Sequence, residues 1–230
     1  MEKFFSGRNV TIWVFCGALI LWACGCAKTK NEEPPKIEHT APAGVVAEDP
    51  RPAIVALGDS LTAGRGVDPA LNYPSRLQRK IDEEGYAYRV LNFGVSGDTS
   101  AQGLRRLDSI LKIKPAIVIV ELGANDGLRG MPAEVTKQNL TAIVERLQAA
   151  GVKVALAGMQ VPPNYGPQYT VSFRSIFRAI AKKYRVPLIP FFLEDVGGNA
   201  ALNQEDGIHP TAEGYKTVVE NVWKVLEPML

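Results

Sequence analysis

From residue 51 to its end, this 230-residue chain alternates short apolar runs with amphipathic stretches, and that alternation most narrows the folds open to it. Residues 53–57 (AIVAL), 89–93 (RVLNF), 116–122 (AIVIVEL), 153–159 (KVALAGM) and 187–192 (PLIPFF) read as strands. Near-continuous apolarity marks strands covered on both faces. Between them, residues 73–84, 100–111, 132–150 and 171–184 place apolar side chains three or four apart, the helical period, and Gly85 and Gly151 close two of these helices. A last helix is predicted over 212–226. Strict strand–helix alternation predicts βαβ units. The expected fold is therefore α/β, a three-layer, doubly wound domain with a five-stranded parallel sheet between helices. No internal repeat is visible.

Ahead of this domain the composition changes twice. Lys3 and Arg8 precede an uncharged, mostly apolar run of 14 residues, 10–23, which is too short to span a bilayer and has the length of an export-signal core. It stops at Leu21-Trp22-Ala23-Cys24, which resembles a lipobox although Trp22 replaces the usual small residue. Cys24 is the expected lipid acceptor and Cys26 the fallback, with ordinary secretion or an uncleaved anchor as the other readings. Residues 27–50 are rich in Pro, Lys and Glu and poor in bulky apolar side chains, the composition of a flexible tether, and His39 reads as a solvated histidine within it. The expected division is a lipoprotein-type signal over 1–26, a linker over 27–50 and one domain over 51–230, in an exported, membrane-anchored protein facing the periplasm or the cell surface.

Composition removes several kinds of chemistry. All three cysteines (Cys16, Cys24, Cys26) precede the domain, so no thiol is left for a disulfide, a zinc knuckle or a cysteine nucleophile. His209 is the only histidine after His39, which excludes sites needing two histidine ligands. The formal charge is +2, and the basic residues read as dispersed along the chain, so no nucleic-acid partner is expected. Neither a phosphate-binding G-x-x-x-x-G-K-[ST] nor a G-x-S-x-G nucleophile elbow occurs.

Ligands of an open α/β sheet bind outside the carboxyl ends of its strands. Here those ends carry Gly58-Asp59-Ser60-Leu61, then Gly94-Val95-Ser96-Gly97-Asp98, then Gly123-Ala124-Asn125-Asp126, while Asp206-Gly207-Ile208-His209-Pro210 follows the fifth strand. Acyl transfer needs a nucleophile, a base, a group that orients the base and donors for the developing oxyanion. Ser60, at a glycine-flanked turn, is either that nucleophile or a helix N-cap. If imidazole activates it, His209 is the base, and Asp206 three residues earlier has the spacing to orient the ring. The Gly97 backbone N–H and the Asn125 side chain are candidate oxyanion donors, with Gly94 a rival for Gly97. Asp59, Asp98 and Asp126 form the only carboxylate set that raises a metal site, but their spacing is not that of a metal loop and none is expected.

Taken in order, the four blocks GDS(L), SGD, GAND and DGIHP resemble the SGNH (GDSL) hydrolase family. The longer stretches SGDTSAQGLRRL, VELGANDGLRG and PPNYG are similar to the branch containing multifunctional thioesterase I, lysophospholipase L1 and arylesterases. The resemblance implies a flavodoxin-like sheet, a Ser60–His209–Asp206 triad, an oxyanion hole of Ser60, Gly97 and Asn125, and no cofactor. It also implies that the segment after the fourth strand lines the acyl chain, making Val161, Pro162 and Tyr165 substrate contacts. The expected activity is hydrolysis of carboxylic esters or thioesters through an acyl-enzyme. A carbohydrate O-deacetylase of the same fold and a non-catalytic ligand-binding lipoprotein are the alternatives. The Gly64-Arg65-Gly66 turn and residues 127–131 are candidate lids.

Overall fold

The structure, a computed structural model, describes residues 49–230. Cys16, Cys24, Cys26, His39 and the expected leader lie outside the described residues, as does the linker up to residue 48. The described chain begins with Asp49 held by the Arg51 guanidinium (2.7 Å), which also reaches Asp82 (2.9 Å).

Five parallel strands, β1 (Ala53–Gly58), β2 (Arg89–Gly94), β3 (Ile117–Glu121), β4 (Lys153–Ala157) and β5 (Leu188–Ile189), pair in the order β2-β1-β3-β4-β5. The chain winds one way from β1 to β2 and the other way from β3 onward. The crevice between β1 and β3 is thus the topological switch point of a flavodoxin-like sheet. Both strands are buried along their whole length, while β2, at the sheet edge, is only half-buried.

The helices are α1 (Ser60–Ala63), α2 (Tyr73–Glu83), α3 (Ser100–Arg105), α4 (Leu107–Leu111), α5 (Ala124–Leu128), α6 (Ala133–Ala149), α7 (Pro167–Tyr184) and α8 (Ala212–Leu226). Packing of α2 on α8, and of α6 on both α3 and α7, supplies the two outer layers. Amphipathic spacing explains why. Helix α7, for example, turns Phe173, Ile176, Phe177 and Ile180 into the core at intervals of three or four.

The expected fold class is the observed one, with local differences. β5 is two residues long instead of six, because Pro187 and Pro190 bracket it and proline offers no N–H to a ladder. The helix expected over 100–111 divides at Arg106, whose side chain turns back to bond Asp98 (2.7 Å) and the Gly58 carbonyl (2.8 Å). α7 starts four residues earlier than its apolar period suggests, since Pro167 serves as a first-turn proline. The dispersal of charge along the sequence does not survive folding. Arg174, Arg178 and Lys182 come to lie four apart on the exposed face of α7.

Candidate active site

Ser60 is the first residue of α1, directly past the carboxyl end of β1. Asp59, not Ser60, caps that helix: its Oδ1 accepts from the Leu61 N–H at 3.0 Å. The Ser60 hydroxyl is therefore free of capping and meets His209 Nε2 at 2.8 Å. On the other side of the ring, His209 Nδ1 lies 2.6 Å from Asp206 Oδ2. Asp206 Oδ1 accepts from the backbone N–H groups of Ile208 (3.1 Å) and His209 (3.0 Å), so the three-residue spacing closes a tight turn around the carboxylate. Burial pushes this carboxyl upward, but the bonds from the His209 ring and the two N–H groups outweigh it and hold Asp206 at about 2. An ionised Asp206 fixes the proton on Nδ1, which leaves Nε2 to accept the Ser60 hydroxyl proton. Ser60 and His209 are both buried, so water competes poorly for this contact.

Gly97 has φ of +86°, a conformation glycine adopts without strain. Among the described residues, no protein acceptor takes the N–H of Gly97 or of Ser60. Gly94, by contrast, donates to Asn92 Oδ1 at 2.9 Å, so the rival N–H is occupied. Asn125 stands on α5, past the end of β3, and its amide donates to Asp59 Oδ2 and to the Asp98 carbonyl, both at 3.0 Å. With both hydrogens engaged, the amide is fixed in direction. One of these bonds must be exchanged for any oxyanion it receives.

The predicted contacts after β4 separate in the structure. Val161 is buried against Gly127, Pro162 is exposed, and Tyr165 donates its hydroxyl to the Leu128 carbonyl at 2.7 Å. Tyr169 does the same to Met131 (2.6 Å), and Arg129 bonds the Gly97 carbonyl (3.0 Å). Residues 127–131 are thus braced from two sides. The turn at residues 64–66 is tied to the histidine segment through Gln204 Nε2, which donates to the Arg65 carbonyl (2.8 Å) and to that of Pro210 (2.9 Å). Asp126 accepts from the Ser100 N–H at 2.8 Å and from its hydroxyl at 2.5 Å, Asp98 accepts from Arg106 at 2.7 Å, and Asp59 is engaged as above, so each of the three aspartates has its own protein donors.

Sequence reasoning missed the acidic cluster beneath Ser60. Glu121, the last residue of β3, is fully buried; its Oε2 accepts from Thr62 Oγ1 (2.7 Å) and the Asp59 N–H (3.3 Å), and its Oε1 has no partner. Burial, and then the neighbouring Asp59 charge, push the Glu121 carboxyl well above the carboxylate range. Asp59 is raised to about 7, first by burial, with its two hydrogen bonds acting in the opposite sense. Burial is thus the leading cause at both carboxyls, and each resists ionisation. The signal in the sequence was a lone Glu at the end of an otherwise apolar strand.

The profile of the GDSL-like lipase/acylhydrolase family matches residues 56–217. The chain belongs to this family. It is 46% identical over 178 residues to esterase TesA of Pseudomonas aeruginosa, an alignment covering 77% of this chain and 89% of that one. It is 39% identical to thioesterase 1/protease 1/lysophospholipase L1 of Escherichia coli K12, covering 77% and 84%. The crystal structure of TesA superposes with a TM-score of 0.76 over 77% of this chain and 99% of its own. These family relatives identify the chain as an ester hydrolase.

Proposed function

We propose that residues 51–230 hydrolyse acyl esters and thioesters through an acyl-enzyme on Ser60. The observation that carries this reading is the continuous relay from Ser60 Oγ through His209 to Asp206 at the switch point of the sheet. His209 Nε2 takes the hydroxyl proton as Ser60 Oγ attacks the acyl carbonyl, and Asp206 stabilises the imidazolium that forms. The N–H groups of Ser60 and Gly97 receive the oxyanion, joined by the Asn125 amide as it exchanges one of its resting bonds. His209 then returns the proton to the departing alcohol or thiol. A water, deprotonated by the same ring, releases the acid and restores Ser60.

The names of the relatives support oxygen esters, thioesters and lysophospholipids as substrate classes. Hydrolysis of p-nitrophenyl esters from acetyl to palmitoyl, with Ser60→Ala alongside, tests the reading: activity on acyl chains beyond acetyl that vanishes in the variant supports it. A strict preference for acetyl would favour a carbohydrate deacetylase. The apolar run before Leu21-Trp22-Ala23-Cys24 supports export and a lipid anchor on Cys24, which metabolic labelling with a fatty acid tests, the label being lost in Cys24→Ser.

A further inference from the structure

We propose that the outer face of α7 is a docking surface for an anionic phospholipid bilayer. Between Glu145 and Glu194 the sequence contains no acidic residue, and it places Arg174, Arg178, Lys182, Lys183 and Arg185 in and just after α7. The helix buries Phe173, Ile176, Phe177 and Ile180 and leaves those five cations exposed. Arg174, Arg178 and Lys182 recur every four residues, so they form one row running about 12 Å along the axis. Among the described residues, Arg174, Arg178, Lys182 and Arg185 make no ion pair, whereas Lys80, Arg106, Arg146 and Lys216 all do. Only Lys183 has a local engagement, over the Tyr184 ring at 4.7 Å.

The row does not end in more charge. At its upper end is Val171, 60% exposed, beside a depression bordered by Gln160, Val161, Pro163, Thr170 and Arg174. An apolar side chain at the tip of a cationic row matches a headgroup layer with acyl chains beneath it, and a purely polyanionic partner has no use for it. No described helix is long and apolar enough to cross a bilayer. The row also leads to the site. The first turns of α7 are bonded through Tyr169 to Met131, in the loop after Asn125, so a protein lying on α7 holds that rim next to the lipid. This inference does not depend on the chemistry at Ser60.

Residues 49–230 are suited to the test, because 77% of this chain accounts for 99% of the crystallised TesA chain and the leader cannot contribute to binding. Sedimentation with vesicles of phosphatidylcholine, alone or with about one third phosphatidylglycerol, reads the partition. Each cation near an anionic surface contributes about fivefold. The triple variant Arg174→Gln, Arg178→Gln, Lys182→Gln should thus lose on the order of a hundredfold of binding to anionic vesicles. Hydrolysis of a soluble p-nitrophenyl ester should stay unchanged, showing that the variant is folded. Binding should weaken with added salt. A control with Lys112, Lys216 and Lys224 changed to Gln should bind like the parent. Equal losses in both triple variants, equal binding to neutral vesicles, or retention on heparin without retention on anionic vesicles would each overturn the proposal.

Discussion

Asn125 shows how much one side chain depends on its neighbours. Its amide bonds Asp59 and the Asp98 carbonyl, and Asp98 is in turn held by Arg106, so the side chain proposed as an oxyanion donor has a fixed direction before substrate arrives. A donor held in direction needs only to exchange one bond, and removing an oxyanion donor costs about 10² to 10³ in kcat. Asn125→Ala should show that loss in steady-state kinetics and also lose about 1 to 3 kcal/mol of unfolding free energy in urea, because Asp59 and the Asp98 carbonyl lose a donor, while remaining folded. Asp206→Asn tests the other end of the relay. Without the carboxylate the Nδ1 proton is no longer fixed, and kcat should fall by a factor on the order of 10⁴ with KM little altered. A variant of either kind with full activity would remove that residue from the mechanism.

Among the elements, the junction of β1 and α1 is the most constrained. A Cβ on Gly58 would fall 1.9 Å from Thr62 Oγ1 and 2.4 Å from Glu121 Oε2, so the strand end, α1 and the buried carboxyl meet with no spare volume. Gly58→Ala should destabilise the domain by about 1 to 3 kcal/mol and lower kcat, measured by urea unfolding and ester hydrolysis of the same preparation. The long elements at this scale were legible in the sequence, because a strand buried on both faces is written as an uninterrupted apolar run and α8 as a clean helical period. The short ones were not. α1 and α5 are too brief to show a period, and their ends are set by Asp59 as a cap and by Gly123 at φ of +111°. The roles proposed for Ser60, Asp206 and His209 could be read because scarcity and spacing left few alternatives. The Asp59–Glu121 pair could not, since a lone Glu in the apolar run IVIVE marks burial of one acid but not its pairing with Asp59 across two strands.

For the molecule as a whole, the buried acids give stability a definite dependence on pH. An unfolded aspartate releases its proton near 3.8, whereas folded Asp59 holds it until about 7. Between those values the native state binds the extra proton, so this group makes the domain less stable as pH rises through that window. Asp206 acts in reverse: its folded value of about 2 adds stability above pH 3.8 that is lost as pH falls toward 2. In urea titrations from pH 4 to 8, Asp59→Asn should gain stability relative to the parent as pH increases, and a constant difference would contradict the late ionisation of Asp59. The molecule then carries two regions with proposed roles, a Ser60–His209–Asp206 relay at the carboxyl rim of the sheet and a cationic helix beside it. The rim is the one on which the function rests. Its most direct test is to react residues 49–230 with diethyl p-nitrophenyl phosphate and locate the adduct by peptide mass spectrometry. A single phosphoryl group on Ser60 is expected, with ester hydrolysis lost in proportion to labelling and no labelling of Ser60→Ala. Hydrolysis persisting in Ser60→Ala, or activity lost through an adduct elsewhere, would contradict it.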